Sequence, residues 1–314
     1  MSKIAFVFPG QGSQTVGMGQ DFAEQTKEGK ALFQKADEVL EANLSQIMLE
    51  GPKEELTLTY NAQPALVTAS IAAWQLLDKE GIRPDYTAGH SLGEYSALVA
   101  SGVLSFEDAV LAVRRRGEFM NEAVPAGEGA MAAIMGMEAP TLREIAQTVT
   151  EEGHSVQLAN LNCPGQIVIS GTAKGVELAS AKAKEAGAKR AIPLDVSGPF
   201  HSELMKPAAN QLKSVLDNME LKDASIPVIA NVTAQPEKEG GRIQELLIQQ
   251  LYSPVRWEES VKTMIENGVD TFVEIGSGKV LSGLIKKIDR NVKTLSVSDM
   301  ATLQAAVEAL KEES

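Results

Sequence analysis

The stretch Tyr86-Thr87-Ala88-Gly89-His90-Ser91-Leu92-Gly93 decides the fold. Its first four residues read as a short apolar strand, and Ser91 opens a helix that runs to about Ala100. Between them, Gly89-His90-Ser91-Leu92-Gly93 fits G-x-S-x-G. In that pattern both glycines relieve crowding on a tight strand-to-helix turn, and the serine oxygen stands exposed at the sheet edge. A strand that feeds straight into a helix is the repeating step of an α/β sheet.

The same step recurs outward from this turn. Residues 4–8 read as a buried strand stopped by Pro9-Gly10, followed by a Gly/Gln-rich loop and helical pattern through residue 50. Residues 63–80 read as a helix, with Leu66, Ser70, Ala73 and Leu77 on one face and Gly81 past its end. Ser105-Phe106-Glu107-Asp108 has the form of a capping box. Beyond residue 200 the spacing predicts helix 202–218, strand 227–232, helices near 241–251 and 256–267, strand 271–275, helix 279–288, strand 293–297 and helix 299–312. Such alternation implies a largely parallel sheet covered by helices on both faces. The middle of the chain differs. Strands at 129–136, 156–161, 166–170 and 190–196, with helices at 140–151 and 174–186, give the order βαββαβ of a ferredoxin-like unit. The expected organisation is an α/β core made of 1–126 and 197–314, with 127–196 inserted as a smaller subdomain.

Composition narrows the function classes. Of 314 residues, 29 are Lys or Arg and 42 Asp or Glu, a net charge of −13. That balance argues against broad nucleic-acid binding and against an anionic membrane surface, both of which need a basic face. The single cysteine, Cys163, excludes an intrachain disulfide and a multi-thiolate zinc site. Its position before Pro164-Gly165 reads as structural. The N-terminal apolar run is too short for a secretion signal, and no apolar run reaches the roughly 18 residues of a membrane span, so the cytoplasm is the expected compartment.

Ser91 is the candidate nucleophile, and a serine needs a base. Only His90, His154 and His201 are available. His90 adjoins the nucleophile and should point away from it; His154 lies in a polar loop and is expected to face solvent. His201, in Ser197-Gly198-Pro199-Phe200-His201-Ser202, remains. No aspartate suggests itself as a third member, and a carbonyl oxygen can also orient an imidazole through its Nδ1–H. Both possibilities stay open. On the helix predicted over 106–120, Arg116 lies in the apolar stripe of Ala109, Ala112, Val113 and Met120, whereas Arg114 and Arg115 face acidic neighbours and read as surface charges. A buried guanidinium needs an anion. An internal salt bridge, a snorkelling stem and a clamp for a substrate carboxylate all satisfy that need.

Two glycine motifs are lookalikes. Gly10-Gln11-Gly12-Ser13-Gln14 lacks the third glycine of a dinucleotide loop, because position 15 is Thr15. Gly276-Ser277-Gly278-Lys279 lacks the P-loop residues at Val273 and Val280.

Taken together, Pro9-Gly10-Gln11-Gly12-Ser13-Gln14, Gly89 to Tyr95, Arg116-Gly117, Gly198 to Ser202 and Gln250-Leu251-Tyr252 resemble the acyltransferase family of bacterial fatty acid synthesis, from residue 1 to about 300. The resemblance implies an α/β-hydrolase-like large part with a ferredoxin-like small part. It implies ping-pong transfer of a malonyl group from malonyl-CoA to acyl carrier protein through an acyl-serine, with no metal or redox cofactor. By the same resemblance Ser91 is the nucleophile and His201 the base. The N–H groups of Gln11 and Leu92 form the oxyanion hole, Arg116 binds the malonyl carboxylate, and the Gln250 carbonyl orients His201. Gln63, Asn162 and Phe200 match substrate-binding positions. The carrier of this family is acidic, so on an acidic enzyme it must dock on local basic pairs, with Lys189-Arg190 and Lys286-Lys287 as candidates. A monomer is expected. A stand-alone acyltransferase of polyketide assembly and a serine hydrolase or thioesterase are the alternatives.

Overall fold

The computed structural model describes residues 2–312. Positions 1, 313 and 314, where the expected core segments begin and end, lie outside the described residues. Ten strands are present among them: β1 (Lys3–Phe8), β2 (Tyr86–Gly89), β3 (Gly129–Met135), β4 (Val156–Cys163), β5 (Gln166–Thr172), β6 (Arg190–Pro193), β7 (Val228–Ile229), β8 (Pro236–Glu237), β9 (Val269–Ile275) and β10 (Lys293–Val297).

The large sheet runs β10-β9-β1-β2-β7-β8, parallel throughout except for the β7–β8 edge pair. Strand β1 shows why it is covered on both sides. Successive side chains of a strand point to opposite faces. Phe6 and Phe8 enter a core with helices Thr59–Lys79 and Phe106–Glu122, while Ala5 and Val7 enter a second core with Trp257, Val261 and Leu284. Chain direction across the sheet reverses around β1, which has β2 on one side and β9 on the other. A crevice at the carboxyl ends of strands is expected at such a switch point.

The small sheet runs β4-β5-β3-β6, antiparallel, the strand order of a ferredoxin-like unit. Helices Ala139–Glu151 and Thr172-capped Ala173–Glu185 pack on it around Ile134, Leu142, Ile169 and Val176. A parallel bridge joins it to the larger part: the Leu161 N–H donates to the Val255 carbonyl at 2.9 Å and the Val255 N–H to the Ala159 carbonyl at 2.8 Å.

Several boundaries differ from the sequence expectation. Strand 227–232 shrinks to Val228–Ile229, because Asn231 turns its bonds toward the Ser91 loop. Strand 190–196 ends at Pro193, and Leu194 to Ser197 instead border a cavity. The helix expected from 63 starts at Thr59 and contains Pro64. Proline has no N–H, so the Tyr60 carbonyl four residues earlier loses its helical donor. Arg114 supplies one: its Nη1 donates to the Tyr60 carbonyl at 3.1 Å and to Asn61 Oδ1 at 2.5 Å, with the guanidinium 4.9 Å over the Tyr60 ring. Arg114 is therefore a half-buried structural cation, although its expected pairing with Glu118 is also made. The two helices cross tightly at this point, where a Cβ on Gly117 would lie 2.6 Å from the Tyr60 Cα. That approach carries the neighbouring Arg116 deep into the molecule.

Candidate active site

Ser91 occupies the left-handed region with φ 52°, a strained conformation for a residue with a side chain. The turn is compressed around it. A Cβ on Gly89 would sit 1.9 Å from the Gly93 backbone, so no other residue fits there. The Ser91 N–H donates to Asn231 Oδ1 at 2.7 Å, and Asn231 Nδ2 donates to the Gly89 carbonyl at 2.7 Å. One asparagine side chain thus staples both ends of the turn.

His201 meets Ser91 as the elimination of the other histidines predicts. Its Nε2 lies 2.8 Å from Ser91 Oγ, and its Nδ1 lies 2.8 Å from the Gln250 carbonyl. A carbonyl can only accept, so Nδ1 carries the proton and Nε2 accepts from the serine hydroxyl. The open question of the third member resolves to a main-chain oxygen. Burial, the nearby Arg116 cation and, less strongly, His90 push His201 down to about 3, opposed by its bond to Gln250. The ring is neutral at pH 7. His90 turns to Asn162, with Nε2 2.8 Å from Asn162 Oδ1 and its ring 5.7 Å from that of Trp257. His154 is half-buried outside the cavity wall rather than facing open solvent.

Arg116 is 1% exposed. Nη1 donates to Gln63 Oε1 at 2.8 Å, and Nη2 donates to Gln250 Oε1 at 2.9 Å and to Ser91 Oγ at 3.0 Å. Its Nε has no partner, and no carboxylate forms an ion pair with it among the described residues. Neutral carboxamides hold the guanidinium in place while its charge stays uncompensated by direct contact. This arrangement rules out the internal salt bridge and the snorkelling stem.

Ser91, His201 and Arg116 open onto a cavity of about 530 Å³ whose apolar wall includes Met120, Met131 and Phe200. Gln11 also lines it, and the N–H groups of Gln11 and Leu92 donate to no other group among the described residues. Gln63 and Asn162 do not reach the wall. They stand behind Arg116 and His90 respectively and bond to them. Asn160 is on the wall instead. The sequence reading assigned no function to Asn160, Asn231 or Glu94. Only Glu94 had a local signal, one helical turn beyond Ser91.

The other singled-out motifs are structural. Ser277 Oγ donates to the Ser13 carbonyl at 2.6 Å, and the Glu274 carboxylate accepts the N–H groups of Leu281 and Ser282 at 3.0 and 2.7 Å. The helix start that tempted a phosphate reading is filled by the protein's own anion. Cys163 is buried, which raises its thiol pKa. Arg190 and Lys287, far apart in sequence, come to the same end of the small sheet's strands. Met135 pairs with Arg190 on one side and Gln166 on the other, and Lys287 donates to Gln166 Oε1 at 3.2 Å. Lys286 is turned onto the main-chain oxygens of Arg290 and Val292. No helix is long and apolar enough to cross a membrane among the described residues.

A family model described as an acyl transferase domain matches residues 5–308. The chain is 67% identical over 313 residues to malonyl CoA-acyl carrier protein transacylase of Bacillus subtilis, covering 100% of this chain and 99% of the relative. An acyl carrier protein S-malonyltransferase of Vibrio cholerae superposes with a TM-score of 0.95 at 48% identity, covering 97% of this chain and 100% of that one. A malonyl-transacylase solved in complex with a type II PKS acyl-carrier protein superposes with a TM-score of 0.95 at 44% identity, covering 98% and 100%.

Proposed function

The chain belongs to the acyl transferase domain family, and from that premise we propose that it moves a malonyl group from malonyl-CoA to the phosphopantetheine thiol of acyl carrier protein. One observation carries the reading: Ser91 Oγ lies 2.8 Å from a neutral imidazole nitrogen and 3.0 Å from a buried, ion-pair-free guanidinium. A hydrolase of simple esters has no use for that cation.

In the first half-reaction Ser91 Oγ attacks the thioester carbonyl while its proton passes to His201 Nε2. The Gln11 and Leu92 N–H groups receive the developing oxyanion. Collapse breaks the C–S bond, the proton on His201 goes to the coenzyme A sulfur, and malonyl-serine remains. In the second half the carrier thiol gives its proton to His201 and attacks the acyl-serine; on collapse the proton returns to Ser91. These steps balance without a metal or redox group.

Arg116 does two things in this scheme. Its guanidinium gives the malonyl carboxylate charge-assisted hydrogen bonds, a partner that an acetyl group lacks. The bound carboxylate also offsets the cation that depresses His201, so the proper substrate strengthens the base. Phe200 and Met120 complete the apolar wall. The acidic carrier docks on Lys189, Arg190 and Lys287, with Lys286 contributing less. The same reading places a monomer in the cytoplasm, with 127–196 as a unit inserted between 1–126 and 197–314. The test is mass spectrometry after brief exposure to malonyl-CoA. A single malonyl adduct on Ser91, discharged by holo-acyl carrier protein, is expected; an adduct elsewhere, or discharge to water at the same rate without the carrier, overturns the reading.

A further inference from the structure

We propose that Glu94 is a positioning residue for Arg116, acting through the side chain of Gln250. The inference rests on the malonyl-transfer reading and names a determinant of its specificity. Glu94 is 2% exposed and lies outside the cavity wall. It forms no ion pair among the described residues. Its Oε2 accepts the Gln250 Nε2 at 2.8 Å and the Asn231 N–H at 3.1 Å. A buried carboxylate without a direct counter-charge is costly to keep, and burial pushes this one up to about 7.

What the carboxylate does follows from the two ends of a carboxamide. Oxygen and NH₂ have nearly the same shape, so the neighbours decide which way the group points. Arg116 can only donate. Glu94 Oε2, the Ser91 carbonyl at 3.0 Å and Asn231 Oδ1 at 3.4 Å act as acceptors. Gln250 must therefore aim Nε2 at Glu94 and Oε1 at Arg116 Nη2, 2.9 Å away. Without the Glu94 acceptor, Gln250 loses the shortest of its three bonds through Nε2. A carboxamide released to turn presents NH₂ to a guanidinium, and Arg116 loses one of its two carboxamide anchors. The nucleophile turn bonds Gln250 Nε2 through the Ser91 carbonyl, but its other holds come from the Asn231 side chain. Asn231 keeps its bonds to Gly89 and Ser91, and its carbonyl still accepts the Arg256 N–H at 3.0 Å. His201 rests on the Gln250 main chain, which side-chain motion leaves in place.

The effect should therefore fall on the malonyl group and spare the serine. In Glu94→Leu, kcat/KM for malonyl-CoA is expected to drop about 10- to 100-fold, mainly through KM, while acetyl transfer stays within about threefold, so the malonyl/acetyl ratio collapses. Glu94→Gln keeps an acceptor for Gln250 Nε2 and is expected to hold the ratio within about threefold of wild type. Gln250→Leu retains the carbonyl that orients His201 and should reproduce the loss of ratio, with the double variant no worse than Gln250→Leu alone. Because Gln250→Leu makes the same prediction, the test survives if Glu94→Leu does not fold. An unchanged ratio in Gln250→Leu, or equal loss of both substrates in Glu94→Leu, overturns the inference and leaves the functional reading standing. Failure of the wild type to form malonyl-serine overturns both.

Discussion

Two turns in this molecule share one local design and differ in everything they do. After β2 the chain runs Gly89-His90-Ser91-Leu92-Gly93 into helix Gly93–Ala100; after β9 it runs Gly276-Ser277-Gly278-Lys279 into helix Val280–Ile288. Both place a serine between glycines at the carboxyl end of a parallel strand and before a helix N-terminus. At the second turn, Glu274 on the preceding strand reaches the helix start, and Ser277 spends its proton on the Ser13 carbonyl. At the first, the acid sits inside the helix as Glu94 and bonds elsewhere. The Leu92 N–H donates to no other group among the described residues, and Ser91 Oγ turns toward His201 and Arg116. The lesson is electrostatic. A helix start is an anion site only while the protein's own anions leave it open.

The contrast is broken most severely by removing the two serines. Ser91→Ala should abolish the malonyl adduct in mass spectra, whereas Ser277→Ala, which loses a buried bond to the Ser13 carbonyl and no contact with Ser91, should transfer at a rate within about twofold of wild type. Comparable losses would mean that the two turns are not chemically distinct.

Next in size is the base. His201→Ala should slow acylation by about 10² or more, the range of general-base contributions, and His154→Ala should leave turnover near wild type. Stopped-flow measurement of coenzyme A release compares them directly.

The cation sharpens the comparison further, because at the first turn a buried guanidinium, that of Arg116, bonds the serine itself. Arg116→Ala should lower kcat/KM for malonyl-CoA by roughly tenfold to a few hundredfold, since charge-assisted bonds contribute about 1.5–3 kcal/mol. Acetyl transfer should fall little or rise, because His201 is released from a depressing charge. Lysine at this position restores charge without the fork and should rescue only in part. An equal loss for both donors would make Arg116 a purely structural partner.

The smallest effect lies at the basic patch of Arg190 and Lys287. Arg190→Ala with Lys287→Ala should raise KM for the carrier about three- to tenfold, and added salt should shrink the difference, leaving acylation by malonyl-CoA unaltered. A salt-independent change would remove the docking assignment.

The parts of the site that were legible in the sequence are those with a local signature. A strand-turn-helix needs its glycines near the serine, so Ser91 stands out. The βαββαβ order follows from periodicity over 129–196. Arg116 declares itself by falling on an apolar stripe, and His201 by the scarcity of histidine. Composition excluded disulfides and multi-thiolate zinc outright.

What only the tertiary structure decided are the bonds between distant segments. The Gln250 carbonyl meets His201 across 49 residues, Gln63 meets Arg116 across 53, and Asn231 meets Ser91 across 140. None has a periodicity to betray it, since glutamines and asparagines serve equally on surfaces and in cores. The same holds for Arg114, whose use as a donor to Tyr60 depends on where Pro64 opens a helix packed against it. Sequence sets which faces are apolar and where the backbone can turn, because those preferences act within a few residues. Which polar atom meets which is settled when the sheet closes, because a buried donor or acceptor must find its partner wherever packing has brought one.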